Sequence, residues 1–167
     1  MTKAAEQAKV KPEMIHFRSI QIIEFQINTS DTFKENPVKP EQCTFSIGKS
    51  IAHIPGENKG RYRLFFMIEA LNADKQKIGL DAFIGIEFHL EIENLAENIL
   101  EHDGQLSINS SLAATLLGMS YSTARGIILE KTQNTFFGGI ILPCIDPYKV
   151  LLEKEPEEDV KETTNSK

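Results

Sequence analysis

Cysteine is scarce in this sequence: only Cys43 and Cys144 occur, far apart and outside any CxxC pair. Two thiols are too few to staple a secreted fold, so both are expected to be reduced, and buried rather than reactive. Basic blocks are missing too. With a formal charge of -6 and no Lys/Arg-rich run, the chain lacks the field needed to collect counterion-coated phosphates, and nucleic acid is excluded as an expected partner. Long apolar runs are equally lacking. The opening "MTKAAEQAKVKPEM" has no apolar core of the kind a signal peptide needs, and no stretch reads as long enough to cross a bilayer, so a cytoplasmic location is expected. The body of the chain also has no internal repeat and no low-complexity tract.

What is present suits one ordinary domain with a real core: 167 residues, 41% of them hydrophobic. Residues 1–12 are polar and end at Pro12. The closing "EKEPEEDVKETTNSK" holds six acidic residues against three lysines, with Val160 its one large apolar side chain. These compositions predict a disordered tail over 1–12, a single domain over 13–153 and an acidic disordered tail over 154–167.

The first two thirds of that domain read as strands. In "CTFSIGKSIAHI", Cys43, Phe45, Ile47 and Ile51 alternate with small or polar residues, and "PGENKG" supplies a turn. "RYRLFFMIEAL" reads as a more fully buried strand, "NADKQKIG" as the next turn, and "LDAFIGIEFHLEI" closes a meander. The leading strand "IHFRSIQIIEFQI" is odder. On strict alternation Phe17, Ile23, Phe25 and Ile27 share one face while Ile20 and Ile22 project from the other, so the strand either bulges or is covered on both sides. Cover on a second side makes oligomerisation an expectation.

After residue 94 the pattern changes. "NLAENILEHDGQ" reads as a short helical or irregular link, and "SINSSLAATLLGMSYSTARGIILEKTQN" as one long helix capped by Asn109 or a neighbouring serine. Leu112, Leu116, Met119, Thr123 and Ile127 form its apolar stripe, with Ala113, Leu117, Ala124 and Ile128 close beside. "TFFGGIILP" follows as a loop, and "DPYKVLLE" as a short helix opening at Pro147. The fold class is therefore α+β: a four-stranded antiparallel, meander-like sheet, then one long helix, an apolar loop and a short terminal helix.

Catalytic patterns are weak. Glu87, His89 and Glu91 fall on one face of the last strand, but residues two apart stand roughly 7 Å from one another, and a polar face explains the row without a metal. "GKS" at Gly48–Ser50 lacks the glycine a phosphate loop needs five residues earlier, where Cys43 stands. "GMSYS" puts Ser122 in place of the second glycine of a hydrolase elbow and lies inside the helix. No nucleophile, base and oxyanion set converges, so neither an enzyme nor a cofactor is expected. The more informative segment is "TFFGGIILP". Phe136, Phe137, Ile140, Ile141 and Leu142 surround the Gly138-Gly139 pair, and such a loop either seals the core or lines an adaptable apolar groove beside the helix.

The order of elements resembles the SecB export chaperone family over roughly residues 14–153. Local anchors are Ala82-Phe83 in the last strand, Ala124-Arg125 in the long helix, and Pro143 with "PYKVL" from Pro147. The resemblance implies a dimer of dimers that holds unfolded polypeptide clients, without ATP, in grooves formed by helix, loop and sheet. Met119, Phe136, Phe137, Ile140, Ile141 and Leu142 are the client-binding residues it implies. It also implies an acidic sheet face that docks the translocase motor SecA, for which Glu87, Glu91 and Glu93 are the candidates here. The sequence departs from the family in carrying Ile86 where a carboxylate is usual and in a longer helix end, "ILEKTQNTFFGG". A SecB-like chaperone dedicated to a single partner, such as an antitoxin, is the alternative reading, and a small-molecule binder using the helix–sheet crevice is the third.

Overall fold

In the computed structural model, residues 10–53, 56–102 and 105–152 are described. Of the tails expected over 1–12 and 154–167, residues 1–9 and 154–167 lie outside them. Val10 packs against the core and a 3-10 turn spans Pro12–Met14, so part of the stretch expected to be disordered belongs to the domain.

Four long strands form one antiparallel sheet: β1 (Ile15–Thr29), β2 (Gln42–His53), β3 (Lys59–Leu71) and β4 (Lys77–Ile92). Their spatial order is β1-β4-β3-β2. β2, β3 and β4 are the expected meander, while β1 joins beside β4 and forms one edge. The alternation of β3 and β4 explains the layering. Tyr62, Leu64, Phe66, Ile68 and Ala70 of β3, and Leu80, Ala82, Ile84, Ile86, Phe88, Leu90 and Ile92 of β4, are all buried on one face. Each large side chain taken from water there contributes roughly 1.5–3 kcal/mol.

The long helix α2 (Ser110–Thr132) lies on that face. Asn109 caps it, its side chain accepting from Leu112 N–H at 2.7 Å. The centre of the buried stripe runs through Leu117, Tyr121, Ala124 and Ile128, and Tyr121 packs on Phe66 with ring centroids 6.0 Å apart. Met119 and Ile127, placed at the centre by the sequence pattern, are only partly buried along the flank. By length and composition α2 could span a membrane, contrary to the sequence expectation. Its apolarity serves the sheet contact.

Three features escaped the sequence pattern. A short helix α1 (Asp31–Glu35) follows β1, capped by Ser30 accepting from Phe33 N–H at 3.1 Å, and it sinks Phe33 into the core. The "link" before α2 contains a hairpin, β5 (Ile99–His102) with β6 (Gln105–Ile108). Its base is tied by Asn98 and Asn109, whose side chains meet at 2.6 Å and whose backbones bond at 2.8 Å. Finally, β1 takes the first of the two options its pattern left open: it bulges at Arg18 and again at Ile23. Each extra residue shifts the parity of the strand. The shifts put Ile15, Phe17, Ile20, Ile22, Phe25 and Ile27 together on the helix side, opposite buried β4 partners, and leave Ile23 on the other.

Candidate functional site

The segment after α2 turns sharply and runs back along the helix to α3 (Pro147–Leu152). The turn needs glycine: Gly138 and Gly139 both take positive φ, 65° and 100°. Their N–H groups donate to the carbonyls of Thr135 and Thr132 at 3.0 and 3.1 Å. The pair is thus a hydrogen-bonded turn. Thr132 is the anchor. Its buried hydroxyl donates to Ile128 O at 2.7 Å and accepts from Ile140 N–H at 2.8 Å. Further along, Arg125 Nε donates to Leu142 O at 3.0 Å and the Tyr121 hydroxyl to Pro143 O at 2.7 Å.

This anchoring sorts the expected binding residues into two sets. Phe137, Ile140 and Leu142 are buried and seal the core, and Met119 packs partly against it. Phe136 and Ile141 face outward, 58% and 72% exposed. Phe136 stands edge-on to Phe33 at 5.4 Å and lines an open cavity of about 560 Å³ with Ile27, Thr29, Asn134 and Thr135. Ile141 borders a crevice of about 320 Å³ against the start of β2, where Pro40, Cys43 and Phe45 form the opposite wall. Two large apolar side chains are therefore held over two recesses by a fixed backbone.

The sequence pattern missed a third apolar surface. On the helix side of β1, Ile20, Ile22 and Phe25 remain about 40% exposed, because α2 lies over β3 and β4 and leaves the edge strand open. Ile27, on the same face, leads to the Phe136 cavity. The signal lay in the wrong-parity isoleucines, but only the bulge positions say to which face they turn.

The opposite sheet face carries the glutamate row. Glu87 is buried and bonded by Arg63 and His89, which hold its carboxyl below the usual carboxylate range: the hydrogen bond from Arg63 is the largest cause, and desolvation opposes it. Glu91 accepts from Arg18 at 2.8 Å, and Glu93 meets His16 at 2.7 Å. Glu87 and Glu91 each have an arginine of the same chain beside them and Glu93 shares a hydrogen bond with His16, so this face is a mosaic of paired side chains and not a row of free carboxylates. Among the described residues no cluster of three or more His, Cys, Asp or Glu side chains is arranged to hold a metal. Towards its other end the same face turns apolar. Phe65 and Phe83 stack at 6.0 Å beside exposed Met67, with Ile23 packed above Gly85. Of the cysteines, Cys43 is partly buried and its thiol is pushed up by desolvation, whereas Cys144 is exposed, against expectation.

No family model and no curated protein matches the sequence. Among solved structures, the fold is similar to a SecB-like chaperone of Mycobacterium tuberculosis, determined in complex with a ChAD peptide from the HigA1 antitoxin. The TM-score is 0.54 at 11% identity, over 80% of this chain and 91% of that one. The fold is SecB-like. A protein of unknown function from Streptococcus agalactiae is also similar, with a TM-score of 0.45 at 8% identity, over 78% of this chain and 97% of the other. In this SecB-like chain the anchor pairs have separable tasks. Ala82 and Ala124 are buried contacts between sheet and helix, Phe83 faces the other way, and Arg125 fastens the loop.

Proposed function

We propose that this chain is a polypeptide-binding chaperone that holds extended apolar segments without a nucleotide cycle. The observation that carries the reading is the pinned loop holding two exposed apolar side chains, Phe136 and Ile141, beside open recesses. A loop that only closed the core would bury all its large side chains as it buries Phe137, Ile140 and Leu142. An extended client laid across these recesses gains about 25 cal/mol per Å² of apolar surface covered, less the cost of ordering it. The peptide-bound SecB-like chaperone of M. tuberculosis supports a polypeptide ligand over a small molecule. It equally favours a second form of the proposal, a chaperone dedicated to one partner. A cytoplasmic site of action fits either form. A motor docking on the glutamate face has to bridge or displace the Arg63–Glu87 and Arg18–Glu91 pairs.

The test is suppression of aggregation of a chemically unfolded client, without nucleotide, by the wild type and by Phe136→Ser/Ile141→Ser. Both substitutions fall on exposed side chains, so the variant is expected to fold. Protection that drops about tenfold in apparent affinity supports the reading, roughly 1.4 kcal/mol of lost apolar contact. Protection by neither protein refutes the general holdase and leaves the dedicated form, which binding to one partner at equal stringency then decides. Protection that is identical in both proteins refutes this site.

A further inference from the structure

The outer face of the sheet carries a row of cations that the carboxylates beside it do not match. Lys59, Arg61 and Arg63 alternate along β3 with buried Tyr62 and Leu64, so they project from one face, roughly 7 Å from one to the next. Opposite them on β4 stand Glu91, His89 and Glu87. Glu91 is taken by Arg18 of β1, and the two oxygens of Glu87 are taken by Arg63 and His89. Arg61 therefore faces a histidine, and the Glu87 carboxylate lies 4.0 Å from it, beyond hydrogen-bond reach. Lys59 pairs with Glu57 at 3.3 Å, and both Lys59 and Arg61 are more than half exposed. Arg18, Lys59, Arg61 and His89 line an open recess of about 510 Å³. The row is open from the β2 edge of the sheet, where the residues paired with Arg61 and Arg63 are Ala52 and Ser50, both small and exposed.

The sequence just beyond α3 holds the matching pattern. Glu153, Glu155, Glu157 and Asp159 are acidic at alternate positions. An extended chain puts alternate side chains on one side at roughly 7 Å, the spacing of the cation row. Pro156 opposes a helix and biases Glu155 towards extended backbone. α3 delivers this segment to the right edge: Lys49 of β2 donates to Val150 O at 3.3 Å, and Lys49 is next to Ser50, the partner of Arg63. Seven extended residues span roughly 23–25 Å. That is enough to round one edge strand and cover a row about 13 Å long.

We infer that residues 153–159 dock across the outer sheet face of their own chain, with alternate carboxylates on Lys59, Arg61 and Arg63. Exposed ion pairs are individually weak and screened by salt, so the docking rests on several at once and on the tether, which holds the segment at an effective concentration on the order of millimolar. The docked segment closes this face to an acidic partner until it is displaced. The loop that presents Phe136 and Ile141 lies on the helix side and stays open. The inference does not depend on the chaperone reading, and the two can fail separately.

A nitroxide on Val160→Cys, in a Cys43→Ser/Cys144→Ser background of the full chain, tests the docking by paramagnetic broadening of backbone amides. Broadening is expected at Arg61 and Arg63 and not at Ile141, and it should fade several-fold as salt rises from about 20 to about 500 mM. Lys59→Glu/Arg61→Glu, which alters exposed side chains, should abolish it, and so should Glu155→Lys/Glu157→Lys. The four substitutions together should restore it, since each charge then meets its opposite. No broadening at low salt, or broadening that survives either charge reversal, overturns the inference. So does equal broadening in a mixture of nitroxide-bearing chains with isotope-labelled chains lacking the nitroxide, which would put the segment on a second copy. A face that binds an added acidic peptide while the chain's own segment stays away overturns it too, because the occupant would then come from another molecule.

Discussion

Thr132→Val probes the anchoring of the loop with the smallest perturbation available. Valine keeps the volume and β-branching of threonine and leaves the backbone carbonyl of residue 132 in place for Gly139 N–H and Thr135 N–H, which bond it at 3.1 and 3.2 Å. Only the hydroxyl is lost. Its own donation to Ile128 O costs little to give up, because that carbonyl sits within the helix ladder. The acceptor role is different. Ile140, 3% exposed, loses the partner of its N–H and has no water to replace it. A buried donor left unsatisfied costs about 1–3 kcal/mol. Taking about 2 kcal/mol, and about 2–4 °C per kcal/mol for a domain of this size, the melting temperature should fall roughly 4–8 °C. Thr132→Ser keeps the hydroxyl and loses one methyl, about 0.8 kcal/mol.

The expected order of stability is therefore wild type, then serine, then valine, the reverse of what hydrophobicity alone dictates for a buried site. Thermal melts followed by circular dichroism give the ranking, and hydrogen exchange at the Ile140 amide locates the effect. Client protection should weaken with it, since Phe136 and Ile141 hang from the segment that loosens. A valine variant as stable as wild type, or more stable than the serine variant, would refute the assignment of Thr132 as anchor.

Other changes follow from the same geometry. Gly79→Ala should destabilise by about 2–3 kcal/mol, read as denaturant midpoint: φ is +78° there, and a Cβ would stand 2.0 Å from Ser30 Oγ, breaking the cap of α1. Ser30→Ala alone should cost about 1 kcal/mol, and much less in the Gly79→Ala background. Because Arg63 and His89 hold the Glu87 carboxyl below its ordinary value, ionised Glu87 adds stability at neutral pH that is lost as pH falls through its folded-state titration; Arg63→Gln should flatten that part of an acid-unfolding curve. Thiol labelling of the native protein should show one fast site, Cys144, and one slow site, Cys43, with Cys144→Ser abolishing the fast phase.

How far the sequence could be read depended on whether a signal was local. The alternation of β3 and β4, the Asn109 cap and the Pro147 start each involve a few adjacent residues, and each appears where the pattern put it. The β5–β6 hairpin has a local signal as well, the Asp103-Gly104 dipeptide between two short apolar-bearing segments of the sequence. The bulges of β1 were not, because alternation shows that parity slips without showing where. Nor was the sorting of the loop, in which Phe137 goes in and its neighbour Phe136 goes out. That outcome follows from Thr132 and two left-handed glycines acting across the turn, contacts with no periodicity to announce them. The glutamate row was visible, but the arginines beside Glu87 and Glu91 were not, since they come from β3 and β1.

The placement of apolar side chains on β1 bears directly on what covers them. Ile84 and Ile86 of β4, opposite Phe25 and Ile22, are 1% and 0% exposed, while Phe25 and Ile22 themselves are 40% and 38%. The core thus closes at β4 and does not need its neighbour. A strand kept strictly regular would have split these residues between the two faces, each side chain separately half-covered. Two bulges instead gather them on one face, at the cost of ladder hydrogen bonds at each irregular step. The face so made is left open by the rest of the domain. If a second copy of the chain covers that face, Ile22→Asp should lower the mass in solution and leave client protection by Phe136 and Ile141 in place. If the client itself covers it, the same variant should leave the mass in solution unchanged and weaken client protection.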